Sequence, residues 1–317
     1  MVYILLILGF VFLIKGADLF VDGSSSIAKA FRVSPLLIGL TIVAFGTSSP
    51  EATVSIIAAL EENAGIALGN VVGSNIFNIT LVVGISAFIY PLKVESETIR
   101  KEIPFTLLAS IALLILVSDI ALQKATENLI TRGDGFIILL FFAIFLYYVF
   151  EVARKSRDKL IDETNDTPSP LAKKVILTIA GLVGIILGGE LVVRNATEIA
   201  LSFGMSETLV GLTIIAIGTS LPELLTSITA AIKKQSEIAL GNIVGSNIFN
   251  ILFVLGTTAV IHPLTVSSKI IIDILIMIFL TVALLIFSRT NFKIGKFEAS
   301  FLIICYIVYM VFIILRN

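Results

Sequence analysis

Two glutamates stand in apolar surroundings, each beside hydroxyl residues and a proline. Glu51 closes the run Gly46-Thr47-Ser48-Ser49-Pro50-Glu51, and Glu223 closes Gly218-Thr219-Ser220-Leu221-Pro222-Glu223. On a helix, Thr47 and Ser48 lie four and three residues before Glu51, so the three side chains share a face; Thr219, Ser220 and Glu223 repeat the pattern. Each proline lacks an N–H and clashes with the carbonyl four residues back, that of Gly46 or Gly218. The helices are therefore predicted to kink or unwind, freeing main-chain oxygens around Ala44 to Thr47 and Ala216 to Thr219. A second pair of motifs supplies amides. Asn70, Ser74 and Asn78 fall at i, i+4 and i+8 and form one polar stripe, as do Asn242, Ser246 and Asn250. The glycine pairs Gly69/Gly73 and Gly241/Gly245 are spaced for close helix approach, which would bring each stripe against a glutamate. All these groups are oxygen donors, and neither Cys305 nor His262 joins them. Hard oxygen ligands suit calcium, sodium or magnesium rather than zinc or copper. Two carboxylates with several neutral oxygens match a calcium shell of about six to eight oxygens, and the same set can be divided among several sodium ions. Protonation is the cheap alternative for a buried carboxylate without a cation, so protons are expected to compete.

The elements that hold these groups must lie in a membrane. Of 317 residues, 57% are hydrophobic and 14% charged, against roughly a quarter charged in soluble domains. The mean hydropathy is +1.07. So few charges cannot cover the surface of a soluble globule of this size, and a net charge of -1 with one Cys excludes a disulfide scaffold or a basic nucleic-acid binder. The apolar runs predict an all-α polytopic membrane protein of ten transmembrane helices, near 2–28, 35–60, 66–90, 99–118, 134–152, 172–200, 207–232, 238–262, 269–288 and 297–315. The first run lacks a basic leader and a small-residue cleavage site, so it reads as a retained helix. The polar stretch from Glu151 to Lys174, broken at Pro168-Ser169-Pro170, reads as a linker. It divides the chain into a first five-helix repeat (1–150), a linker (151–171) and a second five-helix repeat (172–317). Loop Lys and Arg crowd the linker side, at Lys29, Arg32, Lys93, Arg100, Lys101, Lys233, Lys234, Arg289, Lys293 and Lys296 besides the linker itself; the other side has only Lys124, Arg132, Lys269 and Arg316. The positive-inside rule then puts the linker in the cytoplasm and both termini outside a cell membrane.

The halves repeat. Residues 41–51 match 213–223 at eight of eleven positions, and 66–79 match 238–251 at thirteen of fourteen, both at an offset of 172; Pro91/Pro263 and Asp18/Glu190 keep that offset. With five spans per copy, the second copy enters the membrane from the opposite side. That is the inverted-repeat design of secondary transporters, whose sites lie near the midplane in broken helices. Packing alone has little reason to keep Thr, Ser, Asn, Pro and Glu identical at mid-span.

This doubled pair of motifs resembles the alpha-repeats of the calcium/cation antiporter superfamily, and within it the prokaryotic sodium/calcium exchangers. The resemblance covers nearly the whole chain, with alpha-repeat 1 at about 35–90 and alpha-repeat 2 at about 207–262. It implies four site-forming helices, with the spans at 2–28 and 172–200 as a gate that slides past them for alternating access. By motif match, Glu51 and Glu223 are the central calcium ligands, completed by the Thr47 and Thr219 carbonyls. The Ala44 and Ala216 carbonyls, with the hydroxyls of Ser48, Ser74, Ser220 and Ser246, line flanking sodium sites, and Asn78 and Asn250 sit at the centre. One departure stands out: such exchangers often carry an Asp at one of the two central amide positions, and here both are Asn. The site therefore has two fixed carboxylates rather than three. The expected function is calcium/sodium antiport, with a cation/proton or other divalent-cation antiporter as the alternative.

Other charges read more blandly. Lys15 with Asp18, and Arg194 with Glu190, are spaced to pair along their helices; Asp119, Glu127, Asp134, Glu61 and Glu62 read as solvated loop charges. Gly133-Asp134-Gly135 is a weak aspartyl-protease match at a loop without a partner Asp, and one His leaves no Ser-His arrangement. The chain is thus expected not to be an enzyme. It needs no cofactor, binds no nucleic acid, sits in a lipid bilayer and shows no obligate protein partner.

Overall fold

The computed structural model describes residues 2–96, 98–159, 171–204, 216–290 and 292–316, without the side chains of 156–159 and 216. Its helices are α1 (Val2–Phe31), α2 (Pro35–Ile38), α3 (Ala44–Thr47), α4 (Ser49–Leu60), α5 (Ala64–Phe77), α6 (Val83–Ile89), α7 (Ile103–Leu116), α8 (Asp119–Gln123), α9 (Arg132–Lys159), α10 (Leu171–Ser202), α11 (Ala216–Thr219), α12 (Leu221–Ile232), α13 (Ser236–Phe249), α14 (Leu255–Ile261), α15 (Ser268–Arg289) and α16 (Lys296–Arg316). Among the described residues, seven helices are long and apolar enough to cross a membrane, or eight if Pro35–Thr47 and Ser49–Leu60 count as one span bent by 47°. The predicted span at 207–232 falls partly on residues 207–215, outside the described ones.

Burial separates the layers. In Ser236–Ile261 the most apolar window is 94% buried, whereas in Arg132–Lys155 it is 17% buried, so α13 and α14 run through the centre and α9 lies at the rim. The rim faces carry Leu140, Ile144, Tyr147 and Phe150 on α9 and Ile304, Ile307, Val308 and Val311 on α16, all exposed. In water such a belt would aggregate; against lipid tails it is the compatible surface.

Local chemistry explains the breaks. Ser34 opens α2 by accepting the Leu37 N–H at 3.3 Å, with Pro35 in the first turn. Asn63 opens α5 by accepting the Ile66 N–H at 3.2 Å. Pro50 and Pro222 sit in the first turns of α4 and α12, where a missing N–H costs nothing. Each predicted kink is therefore the start of a new helix, after Ser48 on one side and Ser220 on the other. A wider π turn follows α5 at Asn78–Val82 and another follows α13 at Asn250–Val254. Such turns carry a register shift and gather at functional sites, and residue spacing alone does not predict them. From Ala44 to Thr265 the elements recur at the 172 spacing: α3 and α11, α4 and α12, α5 and α13, and α6 and α14 begin and end at related residues.

The two longest helices pack on each other along their lengths. A Cβ on Gly16 would lie 2.7 Å from the Ile185 nitrogen, and one on Gly181 would lie 2.4 Å from the Phe20 nitrogen. The α1–α10 seam is thus backbone against backbone, which only glycine permits. Two short antiparallel ladders, also unforeseen, tie loops together: β1 (Leu92–Lys93) to β4 (Lys293–Ile294), and β2 (Leu129–Ile130) to β3 (Leu264–Thr265).

Three expectations need correction. The helix α9 runs to Lys159, through the first part of the expected linker, because no breaker intervenes and Glu151 pairs with Lys155 one turn on. Asp18 pairs with Lys233 rather than with Lys15, which is exposed. Glu190 and Arg194 are both exposed and form no ion pair with each other.

Candidate functional site

Glu51 and Glu223 are wholly buried, each in the first turn of the helix that follows a break. A helix N-terminus presents unsatisfied N–H groups and favours a negative charge there. The serines at the breaks do not serve their own glutamates. Ser48 donates to Glu223 Oε1 at 2.8 Å, and Ser220 donates to Glu51 Oε1 at 2.9 Å. The i, i+3 spacing had placed Ser48 beside Glu51; the fold turns each hydroxyl to the glutamate of the other half.

The amide stripes cross in the same way. Thr47 Oγ1 donates to Asn242 Oδ1 at 3.0 Å, and Thr219 Oγ1 donates to Asn70 Oδ1 at 3.3 Å. The amide nitrogens of these asparagines turn to their own half. Asn70 donates to the Glu51 carbonyl at 3.1 Å and to Ser55 Oγ at 2.9 Å; Asn242 donates to the Glu223 carbonyl at 3.4 Å and to Ser227 Oγ at 2.9 Å. Each asparagine thereby clamps its own glutamate-bearing turn and the threonine of the opposite break. Close helix approach makes this reach available. A Cβ on Gly245 would lie 2.7 Å from the Leu40 carbonyl oxygen, and one on Gly241 would lie 2.6 Å from that of Leu36. The partners expected for Gly69 and Gly73 fall around 208–216, largely outside the described residues.

Exact symmetry stops at the serines of the stripes. Ser246 Oγ lies 3.5 Å from Glu223 Oε1, while Ser74 Oγ lies 2.9 Å from Ser220 Oγ. At the start of the π turns, Asn250 donates to Asn75 Oδ1 at 3.3 Å, and Asn75 in turn donates to the Asn247 carbonyl at 3.3 Å. Asn78 is fully buried with neither amide atom paired among the described residues. The Ala44 carbonyl, predicted to be free, accepts the Ser48 N–H at 3.0 Å and lies 3.4 Å from Thr47 Oγ1. Ala216 opens α11; its side chain lies outside the description.

The electrostatics are one-sided. Both glutamates keep Oε2 buried without a hydrogen-bond partner among the described residues, and neither has a cationic side-chain partner there. A buried ionised carboxylate is stable only when paired or when it coordinates a cation. Among the described residues no cluster of three or more His, Cys, Asp and Glu side chains occurs. A cation placed here would meet two carboxylates with neutral hydroxyl and amide oxygens beside them. The motifs supply twelve of these side chains; Ser55, Ser227, Asn75 and Asn247 lie outside the stripes and the Gly-Thr-Ser-x-Pro-Glu runs. All four repeat at the 172 spacing, the signal that would have found them. The weak protease match dissolves: Asp134 Oδ2 accepts from the Thr131 N–H at 2.8 Å and its hydroxyl at 2.7 Å, a turn at the start of α9.

Comparison with known proteins points one way. The family profile described as "Sodium/calcium exchanger protein" matches residues 1–151 and 173–315. The sodium/calcium exchanger MaX1 of Methanosarcina acetivorans is 32% identical over 342 residues, covering 98% of this chain and 97% of that protein. The inner membrane protein YrbG of Escherichia coli is 40% identical over 266 residues, covering 82% of this chain and 79% of that protein. A solved structure of the sodium-calcium exchanger NCX_Mj, soaked with 10 mM Na+ and zero Ca2+, superposes with a TM-score of 0.84 at 33% identity, covering 98% of this chain and 99% of that one.

Proposed function

The chain belongs to the sodium/calcium exchanger family, and on that premise we propose that it is a secondary active antiporter exchanging calcium for sodium across a membrane. We place its ion site at the Glu51–Glu223 centre. The observation that carries this placement is the crossed pair of serine–glutamate hydrogen bonds, which leaves one unpaired oxygen on each of two buried carboxylates. Two negative charges balance one calcium ion, and the neutral oxygens around them suit hard cations. In this reading Glu51 and Glu223 are the shared calcium ligands, with the carbonyls of Thr47 and Thr219. The carbonyls of Ala44 and Ala216 and the hydroxyls of Ser48, Ser74, Ser220 and Ser246 hold sodium. Asn78 and Asn250 contribute neutral amides at the middle, where neither can titrate. Sodium and calcium then compete for the same two charges, and competition for one site is what couples their movement in opposite directions.

The architecture we assign is ten membrane helices in two inverted five-helix repeats, 1–150 and 172–317. It is supported by the eight candidate spans, by the further helical stretches 98–116 and 216–232, and by element boundaries that recur at a spacing of 172. The bias of Lys and Arg toward one set of loops supports a cytoplasmic linker and extracellular termini.

The test is calcium uptake into proteoliposomes driven by an outward sodium gradient. The native chain takes up calcium, and Glu51→Gln and Glu223→Gln each abolish it. Sodium-driven uptake that persists in both variants would falsify the site. Uptake driven by a proton gradient alone, at equal sodium, would replace sodium coupling with proton coupling.

A further inference from the structure

Lys233, just past the end of α12, reaches back to α1. Its Nζ lies 2.6 Å from Asp18 Oδ1, 2.7 Å from Asp22 Oδ1 and 3.0 Å from the Asp18 carbonyl oxygen. Two residues on, Gln235 donates to Ser25 Oγ at 3.4 Å, so the loop after α12 grips α1 at two heights. The 172 spacing converts Lys233 into Glu61, Asp22 into Arg194 and Asp18 into Glu190. In one half the cation stands after the short helix and the anions on the long one. In the other half the anion stands after the short helix, with a cation on the long one. Two of the three positions exchange charge, while Asp18 and Glu190 keep the same sign; the capacity for an opposite-charge pair between Glu61 and Arg194 survives.

Only one of the two related contacts is made. The helix α1 packs along α12, while α10 makes no comparable contact with α4 and meets α11, α12 and α3 instead. Glu61 and Arg194 are exposed and form no ion pair among the described residues. The backbone-to-backbone glycine seam ties α1 to α10, so a shift of one carries the other. A shift that brings α10 onto α4 then draws α1 away from α12.

We propose that Lys233 with Asp18 and Asp22 is a latch closing the linker side, and that Glu61 with Arg194 is its charge-reversed counterpart on the opposite side. The two engage in turn as α1 and α10 move together. This rests on the alternating-access reading of the site, and it adds what holds each end state. The pairs are part-exposed, with 23% of the Lys233 side chain and 47% and 57% of the two aspartates accessible. Such pairs bias an equilibrium by a few-fold rather than locking it.

The experiment uses the full chain in proteoliposomes, with Cys305→Ala and Ser24→Cys. Ser24 is wholly buried on α1, two residues nearer the linker side than Asp22. A membrane-impermeant maleimide is applied from each side in turn. Lys233→Gln should raise linker-side labelling by about three- to fivefold, D18N/D22N should do the same, and Lys233→Arg should leave it at the starting rate. Arg194→Gln and Glu61→Gln should lower it by a similar factor, because they weaken the state in which the linker side is open. Unchanged labelling in both K233Q and D18N/D22N overturns the first latch. Raised labelling in R194Q overturns the second, since general loosening would raise both. The two aspartate changes read the same latch if the lysine variant does not fold. Labelling is independent of which ions are carried, so it stands or falls apart from sodium/calcium coupling.

Discussion

Replacing Ser48 by Ala deletes one hydroxyl at the break before α4, and the crossed geometry says which carboxylate notices. The lost contact is the 2.8 Å bond to Glu223 Oε1, between wholly buried groups. A hydrogen bond to a charged group contributes about 1.5–3 kcal/mol, so calcium affinity should fall by about 10- to 150-fold. The partner is identified by a double-mutant cycle. Glu223→Asp retracts the carboxylate by one methylene and breaks the same bond, so S48A added to E223D should cost far less than S48A alone. Added to E51D it should cost its full amount, because Ser48 has no bond to Glu51. The assay is calorimetric titration of calcium into purified protein at low sodium, with the mirrored cycles of Ser220 against Glu51 and Glu223 as the second half. Additivity within about 0.5 kcal/mol for S48A/E223D, together with strong coupling for S48A/E51D, would refute the crossed arrangement. It would return Ser48 to the same-helix partner implied by the i, i+3 spacing.

Two further outcomes follow from the packing. Gly181→Ala places a methyl 2.4 Å from the Phe20 nitrogen, and such overpacking costs about 1–3 kcal/mol; thermal unfolding in detergent should drop by several degrees, and an unchanged midpoint would mean α1 and α10 are not in backbone contact. Arg316 holds Asp273 through two bonds of 3.0 and 2.9 Å, with the aspartate 4% exposed. Arg316→Met alone leaves a buried charge and should cost about 3–5 kcal/mol, most of it recovered when Asp273→Leu is added, as read from the same unfolding curves; a double variant no better than the single one would count against the ion pair as the cause.

Much of the protein was legible before any coordinates. Residue types set the chemistry proposed for the site: two carboxylates, hydroxyls and amides with no soft donor suit hard cations whatever the fold. Scarcity of charge named the solvent, because helices without polar cover are stable only in lipid. The prolines marked where two helices restart, and the 172 spacing marked which residues occupy equivalent positions. The unforeseen features share one physical cause. A helical register decides which side chains share a face of one helix, but it does not decide what that face meets. Ser48 and Glu51 share a face, yet the hydroxyl finds Glu223, because the two broken helices face each other and each break opens toward the other's carboxylate. Lys233 finds Asp18 and Asp22 for the same reason, where one-turn spacing had offered Asp18 to Lys15. The two-residue ladders arise only once segments distant in the chain are in place to pair. Local sequence chose the groups and their spacing along each helix; the packing of one half against the other chose the partners.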